Sequence, residues 1–272
     1  MEGMKSSRYL YLLAAIITAL CSTKVSADQT PEVEFNQYFT YSKYSTGETS
    51  HITSSFLLLN LPNTSKIWYG YQSTVYIEPP RPVGFGRFSE DYHTVGGYFT
   101  YKNRFSYQFD CFRMSNQLGH LTTVLGGEFI HRLGDRLSAG VGYYHTTNPY
   151  YSIKQYNARL FYFPCSTLSF NTKLYIIDST DSRHGTAVQE RINWQISPSA
   201  SLQLRGAAGR RINAVDNDIS TVYTQYAPLL SSYGAFMNCN INNEASFVVG
   251  YNRDNFESYH VDGFQGGLKV YF

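Results

Sequence analysis

The sequence predicts an all-β protein, a transmembrane antiparallel up-and-down β-barrel of about 14 strands, within a range of about 12 to 16. Three observations support this fold class. Apolar and polar residues alternate in successive segments of about ten residues. The connections between these segments are alternately tight and long. The N-terminus has the features of an export signal.

The first 27 residues have the three parts of a secretory signal peptide. Lys5 and Arg8 precede an apolar stretch at 10–20, and the small residues of VSA at 25–27 form a cleavage site. The apolar stretch is too short to cross a membrane as a helix. We therefore predict a cleaved signal peptide over 1–27.

The remaining residues, 28–272, are predicted to form one outer-membrane barrel domain. They contain 19 basic and 19 acidic residues, so their charge does not indicate nucleic acid as a partner. Three cysteines remain, an odd number that cannot form a complete disulfide framework. Charged residues make up 15% of the whole chain and aromatic residues 17%, whereas a soluble domain has about 25% charged residues. No cofactor or metal site is predicted, because no zinc-type spacing of Cys and His occurs.

Fourteen segments have the alternation that is typical of a strand with one apolar face. In LSAGVGYYH at 137–145, for example, Leu, Ala, Val and Tyr alternate with Ser and Gly. Strands are predicted over 33–43, 51–61, 66–77, 92–101, 104–114, 121–133, 136–145, 151–163, 166–177, 186–196, 200–211, about 230–240, 244–253 and 259–272.

The connections separate a membrane barrel from a secreted soluble β-protein. Every second connection is tight, as in KN at 102–103 and GD at 134–135, and the others are longer and polar, as at 78–91, 178–185 and 212–229. Outer-membrane barrels have this arrangement, with short periplasmic turns and long outer loops. Nothing in a soluble β-sandwich requires short and long connections to alternate. Both termini are then expected in the periplasm of a bacterium.

The last strand predicts closure of the barrel and a signal for its assembly. Its alternating apolar residues are Phe264, Leu268, Val270 and the terminal Phe272. Because an open strand edge in lipid leaves backbone groups unsatisfied, this strand is expected to pair with the first. The ending resembles the signal read by the bacterial outer-membrane assembly machinery, which is an expected partner together with outer-membrane lipid.

A wider resemblance lies in the order of strands and turns. It is carried by GVGYYHTTNPYYS (140–152), LRGAAGRRINAVDND (204–218) and ASFVVGYNRDNFESYHVDGFQGGLKVYF (245–272). In this layout the chain is similar to the YaiO-type bacterial outer-membrane β-barrels. The resemblance implies an outer-membrane barrel with a link to envelope polysaccharide, since such barrels occur joined to helical repeats or beside sugar-transferring enzymes. No helical repeat is present in this sequence.

Charged residues are predicted to point into the lumen if each strand keeps its alternation. The inward set comprises Asp110, Glu128, Arg159, Lys173, Arg191, Asn193 and Arg205. In one interpretation these residues form a ladder of ion pairs that fills the interior. In the other they line a porin-like channel, or a barrel for polysaccharide export or scaffolding, with a cationic stretch suited to small polar, anionic or sugar solutes. Barrels of about 8 strands are filled by side chains, and barrels of about 16 to 18 strands leave a water channel. A barrel of about 14 strands lies between these sizes, so its size does not decide between the two interpretations.

An enzyme is the alternative function. His145 and Thr147 are two residues apart in HTTN, so both share the lipid-facing register of Tyr143. With Asn157 as the group that orients the histidine, this set resembles the sites of outer-membrane phospholipase A and lipid A deacylases. Against it, threonine replaces the serine nucleophile, and Asn157 falls in the inward register unless a bulge turns it outward.

Overall fold

The computed structural model describes residues 32–62, 64–78, 87–212, 215–216, 221–222 and 227–272. The predicted signal peptide and its cleavage site lie outside the described residues. Within the described residues, no helix is long and apolar enough to cross a membrane.

Fourteen long strands of the described chain form one closed antiparallel barrel, and two short strands form a hairpin in the connection between β11 and β14. This confirms the predicted fold class. The strands are β1 Glu32–Tyr44, β2 Thr49–Leu61, β3 Ser65–Ile77, β4 Arg87–Tyr101, β5 Phe105–Asn116, β6 Leu121–Arg132, β7 Leu137–Thr147, β8 Ser152–Cys165, β9 Leu168–Ser179, β10 His184–Ser197, β11 Ala200–Arg211, β12 Val215–Asp216, β13 Thr221–Val222, β14 Leu229–Asn240, β15 Ala245–Phe256 and β16 His260–Tyr271.

The barrel closes by pairing its first strand with its last. β1 and β16 are antiparallel neighbours from Glu34 opposite Tyr271 to Tyr44 opposite Val261. The seam continues to the end of the chain, where the amide of Phe272 donates to the carbonyl of Val33 over 2.8 Å. This pairing leaves no open strand edge, as the hydrophobic surroundings of a membrane barrel require.

The observed strand boundaries differ from the predicted ones by up to five residues, the most at β4, which begins at Arg87 within the predicted connection 78–91. A second departure lies at a proline. Pro164 was expected to end a strand at 163, but β8 continues through it to Cys165. The register with β9 shifts between Tyr162 and Cys165, so the proline occupies an irregular position. A bulge at a strand end tolerates proline because no ladder hydrogen bond is needed there.

The two faces of the barrel wall differ in chemistry as the alternation predicts. In β8, Gln155, Asn157 and Arg159 are buried on the lumen side, whereas Tyr156 and Leu160 are exposed on the outside. The outer surface carries large apolar side chains such as Val141, which is 63% exposed. Near the tight turns the outward residues include the aromatic side chains of Phe35, Tyr101, Tyr162, Trp194 and Phe247. An outer apolar surface with an aromatic belt is typical of a membrane-spanning barrel.

Candidate functional site: the barrel lumen

A buried ion-pair cluster lies on the lumen side of β6, β8 and β9. The Glu128 carboxylate lies 3.0 Å from the Arg159 guanidinium and 3.3 Å from the Lys173 ammonium. The amide of Asn157 donates to the same carboxylate over 3.0 Å. The side chains of all three charged residues are at most 3% exposed. One carboxylate thus contacts two basic side chains.

A glycine on the intervening strand makes this cluster possible. Gly142 of β7 is the cross-strand partner of Glu128 on one side and of Asn157 on the other. A Cβ atom at Gly142 would lie 2.5 Å from Cγ of Glu128. Because glycine has no side chain, the carboxylate can lie over β7 and reach the cations of the next two strands.

The second lumen acid, Asp110, is held by neutral hydrogen-bond donors. The Tyr144 hydroxyl donates to its Oδ2 over 2.8 Å, and the Gln108 amide donates to the same atom over 3.2 Å. Asp110 is buried, as are Tyr144 and the neighbouring Phe112. The wall from β5 to β9 is therefore filled by its own side chains, which agrees with the ladder interpretation for this half of the lumen.

Val215, which lies in the connection between β11 and β14, also contacts this half of the lumen. The backbone amide of Val215 donates to Gln155 Oε1 over 2.8 Å, and the Gln155 amide donates back to the Val215 carbonyl over 2.9 Å. The Val215 side chain is fully buried in a cluster with Phe112, Val124 and Tyr144. Since β11 and β5 lie in different parts of the wall, Val215 crosses the interior to reach this cluster. The sequence predicts that this connection is a long outer loop, and its side of the membrane stays a prediction. The alternation of short and long connections did not indicate that Val215 would dock inside the lumen.

The rest of the lumen is open. A cavity of about 1010 Å³ is lined mainly by β1 to β4, β10, β11 and β14 to β16, with a few residues from β5, β6, β8 and β9. Within the described chain, the charged residues that line it comprise six basic and three acidic residues. These are Lys66, Arg159, Arg191, Arg205, Arg211 and Lys269, and Glu90, Asp91 and Asp254. Basic groups thus outnumber acidic groups by two to one, which favours anions in the cavity.

Two arginines of adjacent strands concentrate this positive charge. Arg191 of β10 and Arg205 of β11 are direct cross-strand partners, and both line the cavity. The Arg205 guanidinium lies 4.1 Å from the centre of the Phe236 ring, and its Nε donates to Gln203. Like charges directly opposite each other in a sheet repel. An anion that binds both would relieve this repulsion.

The predicted cationic stretch is therefore divided between the two halves of the lumen. Lys173 belongs to the filled cluster with Glu128, and Arg159 contacts both that cluster and the cavity. Arg191 and Arg205 line the open half, as does the inward residue Asn193, which accepts a 2.7 Å hydrogen bond from Gln203. All the residues predicted to point inward do so, but sequence reasoning did not show which of them meet.

The structure does not assemble the hydrolase set. His145 and Thr147 are exposed on the outer face of β7, where they pair in register with Lys154 and Ser152 of β8. Asn157 lies on the lumen side and donates to Glu128. No bulge interrupts the pairing of β7 with β8, so Asn157 cannot orient His145. This corrects the role considered for Asn157.

Several cavity residues were missed by sequence reasoning. Arg211 donates to Gln189 over 3.3 Å and to Ser232 over 3.1 Å at the cavity wall. Arg211 follows Arg205 by six residues in β11, so strict alternation along this strand predicts that both side chains point inward. No comparable signal marks the aromatic residues Tyr38 and Trp68, which also line the cavity.

One charged group outside the membrane-spanning strands has a perturbed pKa. Asp181 lies in the turn between β9 and β10 and forms an ion pair with Arg183 at 2.6 Å. Hydrogen bonds from Arg183 lower the pKa of Asp181 to about 2. Asp178 lies 2.8 Å from His184 in the same turn region. These carboxylates therefore have protein partners.

Comparisons with known proteins identify the fold. No family model matches the chain, and no match is found among curated proteins. A mutant of the TodX monoaromatic hydrocarbon channel superposes with a TM-score of 0.55 at 8% identity, over 93% of each chain. A bacterial polysaccharide outer membrane secretin superposes with a TM-score of 0.51 at 9% identity, over 91% of this chain and 99% of that chain.

A third structure, the KdgM porin in complex with disordered oligogalacturonate, gives a TM-score of 0.48 at 8% identity over 86% of this chain and 98% of that chain. The first two likenesses show that the chain has the fold of integral outer-membrane β-barrels. The YaiO-type family is matched by no family model, so that resemblance stays a prediction.

Proposed function

We propose that the chain is a passive channel of the bacterial outer membrane that favours small polar solutes and anions, including sugars. The observation that carries the proposal is the 1010 Å³ cavity, whose charged lining is mostly basic. The paired arginines Arg191 and Arg205 supply its main positive field. The named activities of the two superposed barrels, hydrocarbon passage and polysaccharide secretion, support transport as a role of this fold. The polar lining favours polar solutes over hydrocarbons.

We further propose that the tight turns and both termini face the periplasm, and that residues 1–27 are removed on export. The chain would then be an envelope component, a porin-like channel or a route for polysaccharide. The hydrolase alternative receives no support, because the Asn157 amide donates a hydrogen bond to Glu128 on the lumen face of the wall, whereas His145 lies on the outer face.

The proposal is tested by single-channel recording. Residues 28–272, refolded in detergent and inserted into a planar bilayer, are expected to give steady conductance steps with a reversal potential that indicates anion preference. The double variant Arg191→Glu and Arg205→Glu is expected to shift this preference towards cations, because two neighbouring positive charges in the lumen become negative.

The control is Lys102→Glu with Lys154→Glu, which changes the net charge equally at exposed positions outside the lumen. We expect the control to keep the selectivity of the parent. A folded barrel that never conducts would exclude the channel, and equal shifts in both double variants would exclude a role of the arginine pair.

The terminal aromatic residue gives a second prediction. Phe272 is 76% exposed, and it is its backbone that pairs with Val33. Phe272→Ser is therefore expected to reduce the amount of assembled barrel in cells severalfold, while changing the free energy of unfolding by less than about 1 kcal/mol. Folded protein in outer membranes is measured by its heat-dependent gel mobility.

Phe39→Ser is the matched control, since Phe39 is another exposed outward aromatic residue, on the first strand. We expect it to assemble as the parent does. Equal assembly of the Phe272 and Phe39 variants would remove the terminal signal.

A further inference from the structure

We propose that the outer face of β9, β10, β11 and β14 is the contact surface of a homodimer, in which Glu190 of each copy accepts a hydrogen bond from Tyr233 of the other copy. The surface is centred on Gly206 of β11. The inference concerns the outside of the barrel, so it does not depend on conduction through the lumen.

The first observation is a carboxylate in the middle of the outer wall. Glu190 lies halfway along β10 and points outward, between the outward residues Val188 and Ile192. Its cross-strand neighbour on β9, Thr172, donates a hydrogen bond to its Oε2. Within the described residues, Oε1 of Glu190 has no hydrogen-bond partner. Acidic groups are rare where a barrel contacts lipid tails, so Glu190 indicates a polar contact from outside the barrel at this depth.

The wall around Glu190 is otherwise apolar. The neighbouring strands present Leu174, Ile176 and Leu204 on the same outer face, and Trp194 follows on β10, all of them exposed. In the part of the chain that the structure describes, Glu190 forms no ion pair. A single copy of the chain therefore leaves half of this carboxylate unsatisfied. Lipid tails carry no hydrogen-bond donor and do not satisfy it either.

The second observation is a tyrosine in the same row of the sheet. Gly206 is the cross-strand partner of Glu190 on one side and of Tyr233 on the other. Tyr233 is 51% exposed on the outer face of β14, and its hydroxyl makes no hydrogen bond to another described residue. A tyrosine hydroxyl is a donor, and a carboxylate is an acceptor. One donor and one acceptor thus flank the same glycine.

The third observation is open space between the donor and the acceptor. A Cβ atom at Gly206 would meet no other atom within 4 Å. The outer wall is therefore low at Gly206, and the side chains of Glu190 and Tyr233 stand on either side of this low point. Side chains from a second molecule can approach the backbone here without displacing any group of the first.

This arrangement is self-complementary, which is why the partner is a second copy of the chain. If two copies meet around a two-fold axis that passes near Gly206, Glu190 of each copy faces Tyr233 of the other, and two identical hydrogen bonds form. The strands of such barrels are tilted, so the two groups differ somewhat in depth, and the length of a tyrosine side chain bridges the difference.

Cysteine crosslinking tests the position of the axis. The full-length gene product, with its four cysteines replaced by serine and with Gly206→Cys, is expressed in cells. Intact outer membranes are treated with a short bis-maleimide, and crosslinked dimers are read from denaturing gels. We expect a dimer band, because the two copies of residue 206 lie near the axis. Leu125→Cys is the control, since Leu125 is exposed on β6, five strands from β11 around the wall, and should give no dimer.

Substitutions test the two hydrogen bonds. The parent, purified from outer membranes in detergent, is expected to sediment as a dimer. Tyr233→Phe and Glu190→Leu are each expected to weaken its association at least about fivefold, because both bonds are lost. Each variant keeps the outer wall apolar, so the barrel should fold, which heat-dependent gel mobility verifies. Tyr107→Phe, at another exposed outward tyrosine on β5, should leave association unchanged.

Several outcomes would overturn the dimer surface. A folded parent that sediments as a monomer, with no crosslink at residue 206, would reject it. Equal crosslinking at residues 206 and 125 would show random collision of barrels. Parent-like association of the Tyr233 variant would remove the reciprocal hydrogen bonds. A crosslink from residue 206 to a different protein would assign the surface to that protein and reject the second copy.

Discussion

Glu128→Leu should destabilise the barrel by about 3–5 kcal/mol, because it leaves Arg159 and Lys173 buried without their carboxylate. Their side chains are only 3% and 1% exposed, so water does not replace Glu128 easily. The free energy of unfolding is measured by urea titration of the detergent-folded protein, with the folded fraction read from gel mobility. The loss is large because the substitution removes the carboxylate that both buried bases contact.

Glu257→Leu is the control, since Glu257 is exposed in the turn between β15 and β16. Its effect should stay within about 0.5 kcal/mol. Combining Glu128→Leu with Arg159→Met and Lys173→Met should recover much of the lost stability, because an apolar cluster of similar volume needs no counter-charge. If Glu128→Leu is as stable as the Glu257 control, the cluster does not hold the filled half of the lumen together.

Gln155→Leu should release Val215 from the lumen wall and increase the time that the channel spends in a larger open state. The change removes both hydrogen bonds between Gln155 and the Val215 backbone. Two buried hydrogen bonds contribute about 1–3 kcal/mol together. Loss of that energy shifts the balance between the docked and released positions by a factor of roughly 5 to 150. Single-channel recording gives the conductance levels and the dwell times.

Gln72→Leu is the matched control. Gln72 is another amide that lines the cavity, and its hydrogen bonds join it to Ser54 of β2 and Thr74 of β3. We expect the control to keep the dwell times of the parent. Unchanged conductance levels and dwell times in the Gln155 variant would mean that the docked Val215 does not obstruct the pore.

Local patterns were sufficient to place the strands. The predicted strand over 200–211 coincides with β11, and the predicted strand over 66–77 differs from β3 by one residue. Alternation and turn residues act over neighbouring positions, so the period of two and the tight turns can be read directly from the chain. The same parity placed Glu128 and Arg205 on the lumen side.

The sequence by itself determined a closed barrel, its strand number and the inward residues, because each depends on local alternation and on the need to pair every strand edge in lipid. Only the tertiary structure decided that Glu128 meets Lys173 across β7 and β8, and that Val215 docks on Gln155. Contacts across a lumen depend on how far each strand is shifted along its neighbour. That shift accumulates around the barrel, and it cannot be read from one strand alone.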